Sequence, residues 1–231
     1  MTNNSLYPVL IFDMDGVILD TERLVCRCWH ELGEAYQLTD IDEVFLTTVG
    51  TTRKHTGEIL CAQYGADFPQ DTFNADISRL FHSIADVEGI PVKTGAREAL
   101  AWASEQGFRI GLATSTRQVT AETELKHAGL YQYFDYILGG DRITRSKPFP
   151  DIYLTACHNM GIAPSDAFAI EDSYNGIRAA SQAGMHPIMV PDILPPTEEM
   201  HQLCRTVLPD LTALPAFLQH TYTNECLTSN T

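Results

Sequence analysis

Two carboxylates two residues apart, Asp13 and Asp15, close the apolar run Val9-Leu10-Ile11-Phe12. Acids that close repel unless a cation lies between them. Oxygen ligands of this kind suit Mg²⁺, which takes one or two protein carboxylates together with substrate phosphate. A second acidic pair, Glu171-Asp172, follows the apolar stretch Ala167 to Ile170. Hydroxyls stand at Thr114-Ser115-Thr116, and Lys147 precedes Pro148. Hydroxyls and backbone N–H groups just ahead of a helix form an anion site, and a proline-stiffened loop holds a lysine in place. Taken singly, these residues could be turn formers, helix caps and a solvated lysine. Together they call for a divalent cation and an anion at one place, which a metal-bound phosphoryl group provides.

The elements that must position these groups can be read from the apolar pattern. Val9 to Phe12, Arg109 to Thr114, Asp135 to Leu138, Ala167 to Ile170 and His186 to Val190 read as strands, with Thr206 to Leu208 as an edge strand. Between them, helical patterns cover Ala96 to Gln106, Val119 to Ala128, Asp151 to Met160 and Tyr174 to Ala183, each closed by a glycine. Thr197 to Cys204 and Leu211 to Leu218 add two helices, and the polar residues after His220 are expected to fray. This alternation predicts an α/β fold: a parallel sheet with helices on both faces. Every candidate residue then falls at the carboxyl edge of that sheet, where open α/β sheets bind ligands.

The stretch between the first strand and the rest reads differently. Helical patterns start at Asp20 or Thr21, either of which can cap, and run to Tyr36. They resume at Asp40 to Leu46, Arg53 to Tyr64 and Phe73 to Ile84, with breaks at Gly50 and Gly65 to Pro69. An all-helical domain inserted after strand one is predicted, with hinges near Ile18 to Thr21 and Glu88 to Lys93. The expected domains are residues 1–18 with 90–231 for the sheet core, and 19–89 for the helical insert.

The chain has 231 residues and a net charge of −15. Such a surface repels nucleic acid and anionic membranes, so neither is expected as a partner. It also repels anionic substrates, so a phosphate site must be locally basic or metal-assisted. The six cysteines form no C-x-x-C pair and no metal spacing. Reduced thiols, no basic leader and no run of membrane-spanning length point to the cytoplasm; a monomer acting on a small phosphorylated molecule is expected.

The motifs resemble those of the haloacid dehalogenase superfamily. Phe12-Asp13-Met14-Asp15-Gly16-Val17 matches its first motif, Ala113-Thr114-Ser115 its second, Lys147-Pro148 its third, and the segment from Ile170-Glu171-Asp172-Ser173 to Gly176 and Ala180 its fourth. The resemblance spans residues 8 to 218. It implies a Rossmann-like core with a mobile helical cap, of the kind found in the subfamily of β-phosphoglucomutase and small sugar-phosphate phosphatases. It also implies a mechanism. Asp13 is the nucleophile that forms an aspartyl-phosphate, and Asp15 protonates the leaving oxygen and then activates water. Mg²⁺ is held by the Asp13 carboxylate, the Asp15 backbone carbonyl and Asp172, with Glu171 as a ligand or in support. Thr114, the Ser115 N–H and Lys147 bind the phosphoryl oxygens.

The presence of Asp15 favours phosphoryl transfer over dehalogenation. Lys54, in the insert, lacks the flanking pattern of the Schiff-base lysine of phosphonate-cleaving relatives. Arg53, after Gly50-Thr51-Thr52, matches the substrate-phosphate arginine of the mutase. Val25 stands where the mutase has a histidine, which favours a hydrolase. The implied function is a Mg²⁺-dependent phosphatase of sugar phosphates. The alternatives are a phosphomutase or a non-catalytic, metabolite-binding regulatory relative.

Overall fold

A computed structural model describes residues 9–49, 51 and 53–228, without the side chains of Arg53 and residues 222–228. The chain divides into two compact units, Met1–Leu19 with Val92–Thr231, and Asp20–Pro91.

The first unit is built on six strands: β1 (Val9–Phe12), β2 (Arg109–Thr114), β3 (Tyr136–Gly139), β4 (Ala167–Glu171), β5 (His186–Met189) and β6 (Thr206–Val207). They form one sheet in the order β3-β2-β1-β4-β5-β6, and every pairing is parallel. β1 is central: Phe12 lies opposite Leu112 of β2 on one side and Ile170 of β4 on the other. Parallel strands covered on both faces should be apolar throughout, and all four residues of β1 are buried. Val9, Ile11, Ala113, Ala167 and Ala169 pack into one core with Tyr153, Ala156 and Met160. The last three belong to the helix Asp151–Met160. The intervening residues Leu10, Phe12, Ile110, Leu112 and Ile170 are equally buried, and the alternation of a strand turns them to the opposite face.

In chain order the second unit contributes α1 (Thr21–Ala35), α2 (Ile41–Thr48), α3 (Arg53–Tyr64) and α4 (Gln70–Glu88). The first unit adds α5 (Ala96–Glu105), α6 (Gln118–His127), α7 (Asp151–Met160), α8 (Tyr174–Gln182), α9 (Glu198–Leu203) and α10 (Leu214–Thr228). The helical unit has its own core. Trp29 meets Phe45 and Phe73 at ring-centroid distances of 5.4 Å, and Leu24, Cys28 and Ile84 pack between α1 and α4.

Three local expectations need correction. Glu171 is the last residue of β4 rather than the first after it. Asp20 stands at the N-cap of α1, but its side chain makes no capping hydrogen bond; its N–H instead donates to the Pro91 carbonyl at 2.8 Å. The backbone stays helical through Thr228 instead of fraying after His220, and Thr221 Oγ1 donates back to the Phe217 carbonyl, as an in-register turn allows.

Candidate active site

Adjacent parallel strands stand about 4.8 Å apart. The register sets Asp13 between Ala113 of β2 and Glu171 of β4, with Thr114 one residue further along β2. The ladder continues past Phe12, where the Asp13 N–H donates to the Ile170 carbonyl at 2.9 Å.

Lys147 enters this row from the loop after β3, through a cis Lys147–Pro148 peptide. Its Nζ donates to Asp13 Oδ1 at 2.6 Å, to Glu171 Oε1 at 2.5 Å and to the Ala113 carbonyl at 3.2 Å. These bonds use all three ammonium protons. Burial alone would lower the lysine's pKa, but the charges on Asp13 and Glu171 outweigh it and hold the group well above its usual range. Burial raises Asp13 to about 7, against the pull of Lys147 and with the help of Glu171 and Asp15.

Glu171 is fully buried. Its Oε1 also accepts from the Tyr153 hydroxyl at 2.8 Å, and its Oε2 accepts from the Ser173 N–H at 3.2 Å and Oγ at 3.0 Å. Both oxygens are thus filled by protein donors. Ser173 in turn caps α8 by accepting from the Gly176 N–H at 3.0 Å. Gly176 is required, because a Cβ there would run into the Glu171 carboxylate.

Asp172 differs from its neighbour. Its carboxylate accepts no hydrogen bond from the described residues, and burial, then Glu171 and Asp13, push its pKa well up. Gly16, at φ +76°, turns the chain after Asp15, and a Cβ there would collide with Asp172 Oδ2.

Asp15 faces the other way. Its Oδ2 accepts from Thr116 Oγ1 at 2.8 Å and from Thr114 Oγ1 at 3.2 Å. Thr114 Oγ1 also accepts the Thr116 N–H at 3.0 Å, which folds the Thr114-Ser115-Thr116 turn. Ser115 is exposed at its tip.

Carboxylate oxygens of Asp13, Glu171 and Asp172 lie within 4.8 Å of one another. The Asp15 carboxylate is not in that group. With Glu171 saturated, Asp172 and the second Asp13 oxygen are left as open donors. Two carboxylates raised chiefly by burial and by neighbouring acids fit a small hard cation that takes its remaining ligands from water and substrate.

The residues expected from the sequence thus gather at one sheet edge, with two exceptions. Arg53 opens α3 in the helical unit, and its side chain lies outside the described residues, as do Gly50 and Thr52. Lys54 is exposed, 3.8 Å from Glu58. One contributor escaped the sequence reading: Tyr153 looks like a helix core residue and carries no local signal. Thr116, expected among the hydroxyls of an anion site, instead donates to Asp15.

A family model described as haloacid dehalogenase-like hydrolase matches residues 10–190. The phosphorylated carbohydrates phosphatase of Thermotoga maritima is 30% identical over 183 residues, 78% of this chain and 82% of that one. The fructose-1-phosphate phosphatase of Escherichia coli K12 is 30% identical over 186 residues, 80% and 96% of the two chains. Among solved structures, CbbY of Rhodobacter sphaeroides in complex with phosphate superposes with a TM-score of 0.71 at 28% identity, over 90% of this chain and 96% of that one. The six-stranded parallel sheet, the acids on β1 and β4 and the matched residues agree: the chain belongs to the haloacid dehalogenase-like hydrolase family.

Proposed function

We propose that this chain is a Mg²⁺-dependent phosphatase of small phosphorylated metabolites, with sugar phosphates as the substrate class. The observation that carries this reading is the division of labour at the end of β1. Asp13 is gripped by Lys147 among acids, while Asp15 is turned onto the hydroxyls of Thr114 and Thr116. One carboxylate is set to attack and the other to carry a proton. The names of the relatives from Thermotoga and Escherichia support the substrate class.

In this reading an Asp13 oxygen attacks phosphorus, and the ester P–O bond breaks with its electron pair on the leaving oxygen. Asp15 delivers a proton to that oxygen. Asp15 then takes a proton from the water that cleaves the aspartyl-phosphate, releasing inorganic phosphate and restoring Asp13. Thr114, the Ser115 N–H and Lys147 bind the phosphoryl oxygens. Asp13, Asp172 and the Asp15 backbone carbonyl hold Mg²⁺, with Glu171 keeping Lys147 and the β4 end in place. Bound Mg²⁺ supplies positive charge against the approach of an anionic nucleophile to an anionic phosphate. Arg53, by its sequence resemblance, serves the substrate beyond the phosphoryl group. The free thiols at Cys26, Cys28, Cys61, Cys157 and Cys204 fit a reducing compartment, the cytoplasm, and a monomer suffices for the chemistry.

The test is release of inorganic phosphate from a panel of metabolite phosphates with and without Mg²⁺. Hydrolysis of sugar phosphates that stops on chelation is expected. A product that keeps its phosphate at a new position would make the chain a mutase, and no turnover of any phosphate ester would leave a binding protein.

A further inference from the structure

Asp192 lies in the loop between β5 and α9 and has no role in the scheme above. Its Oδ1 accepts from Lys93 Nζ at 2.6 Å. Its Oδ2 is fully buried and has no hydrogen-bond partner among the described residues. Folded proteins give nearly every buried polar atom a partner, so an unpaired carboxylate oxygen needs an explanation. The direction it faces supplies one. A Cβ built on Gly16 would strike Asp172 Oδ2 and lie 3.2 Å from Asp192 Oδ2. The two acids therefore flank one point beside the turn that carries Asp13 and Asp15. Carboxylate oxygens that converge need a donor or a cation between them, and the Lys93 ammonium holds the other oxygen of Asp192.

We propose that Asp192 is a positioning residue of the cation site: its Oδ2 accepts a hydrogen bond from a water carried by the Mg²⁺ at Asp13 and Asp172, while Lys93 fixes the carboxylate through Oδ1. The proposal rests on the reading of Asp13 and Asp172 as cation ligands. Water on a divalent cation is a stronger donor than ordinary water, because the ion's charge acidifies it. The Lys93 charge lets Asp192 take this role without adding a full negative charge to an already acidic pocket. Partners of this outer kind commonly change metal affinity by 10- to 100-fold.

The experiment is calorimetric titration of Mg²⁺ into the substrate-free full chain as wild type, Asp172→Asn and Asp192→Asn, with melting temperatures of the metal-free proteins. Asp172→Asn should abolish binding. Asp192→Asn should weaken it by about tenfold or more. Its metal-free melting temperature should hold or rise, because the amide can donate toward Asp172 where an acid stood before. Unchanged affinity in Asp192→Asn would mean that an ordinary buried water fills the gap, and would overturn the proposal. Weaker binding with a lowered metal-free melting temperature would assign Asp192 to loop packing and overturn it too. Asp192→Ala carries the same expectation for affinity, and failure of both variants to fold would leave a purely structural residue. If the wild type binds Mg²⁺ no better than Asp172→Asn, the cation reading itself fails and this proposal falls with it.

Discussion

The sheet unit and the helical unit put their charged residues to opposite uses. In the helical unit the ion pairs are on the surface: Arg27 with Glu31 and Glu88, His30 with Asp42, Lys54 with Glu58. Its interior is held by aromatic rings around Phe73. In the sheet unit Lys147, Asp13 and Glu171 form a chain of charges with side chains no more than 9% exposed. Burying charge is costly even when it is paired, and hydrophobic replacements of similar volume often serve stability better. A fold that keeps such a cluster therefore keeps it for chemistry. The exposed pairs of the other unit carry no such cost.

The largest effect expected from this contrast is at Asp13. Asp13→Asn should lower kcat by on the order of 10³-fold or more while circular dichroism and melting temperature stay near wild type. More than a few per cent residual turnover would remove the nucleophile from the buried cluster.

Lys147→Met comes next. It should cost about 10²- to 10³-fold in kcat, as for loss of a charge-stabilising donor. It should also destabilise the metal-free protein by roughly 3–5 kcal/mol, because two buried acids lose their counter-charge. Denaturant unfolding checks the second figure, and a variant as stable as wild type would show that the cluster is not held by charge pairing.

Asp15→Ala should lose about 10²-fold or more on alkyl phosphates and clearly less on nitrophenyl phosphate, whose leaving oxygen barely needs a proton. Equal losses on both would contradict the proton-carrying role. The smallest effect belongs to the helical unit. Arg53→Ala should lower kcat/KM for the best metabolite substrate by roughly tenfold, the scale of one exposed charged contact, and should barely change turnover of acetyl phosphate. Equal losses on the two substrates would place Arg53 with the phosphoryl machinery and break the contrast between the units.

The same contrast separates what the sequence makes legible from what it hides. Asp13, Thr114 and Glu171 could be read because each terminates an apolar strand, and strand ends converge in a parallel sheet. Lys147 was marked by the proline that follows it, but no local pattern aims a loop lysine at β1. The pairing of Asp15 with Thr116 depends on a turn in three dimensions. Tyr153 was hidden because a helix face that packs on a sheet selects for apolar bulk, and its hydroxyl is a single atom on an otherwise ordinary core residue. Asp192 was hidden for the opposite reason: a polar residue in a Pro-rich loop gives no sign that one of its oxygens is buried. At Asp20 the helix starts where expected, but no side-chain cap forms, and the N–H donates to the carbonyl of Pro91, far away in sequence.

The central place of β1 also sets a timetable. β1 leaves the ribosome ahead of the other five strands of its sheet, yet its two neighbours are residues 109–112 and 167–170. The helical unit, continuous from Asp20 to Pro91, has all its partners in hand long before. At ~5–20 residues per second, β1 waits on the order of ten seconds or more for β4. Throughout that wait its apolar residues have at most one side of the sheet to join, and Asp13 lacks Glu171 and Asp172. A nascent chain stalled before β4 therefore carries a finished helical unit beside a hydrolytically silent, aggregation-prone strand, and the enzyme switches on late in its own synthesis.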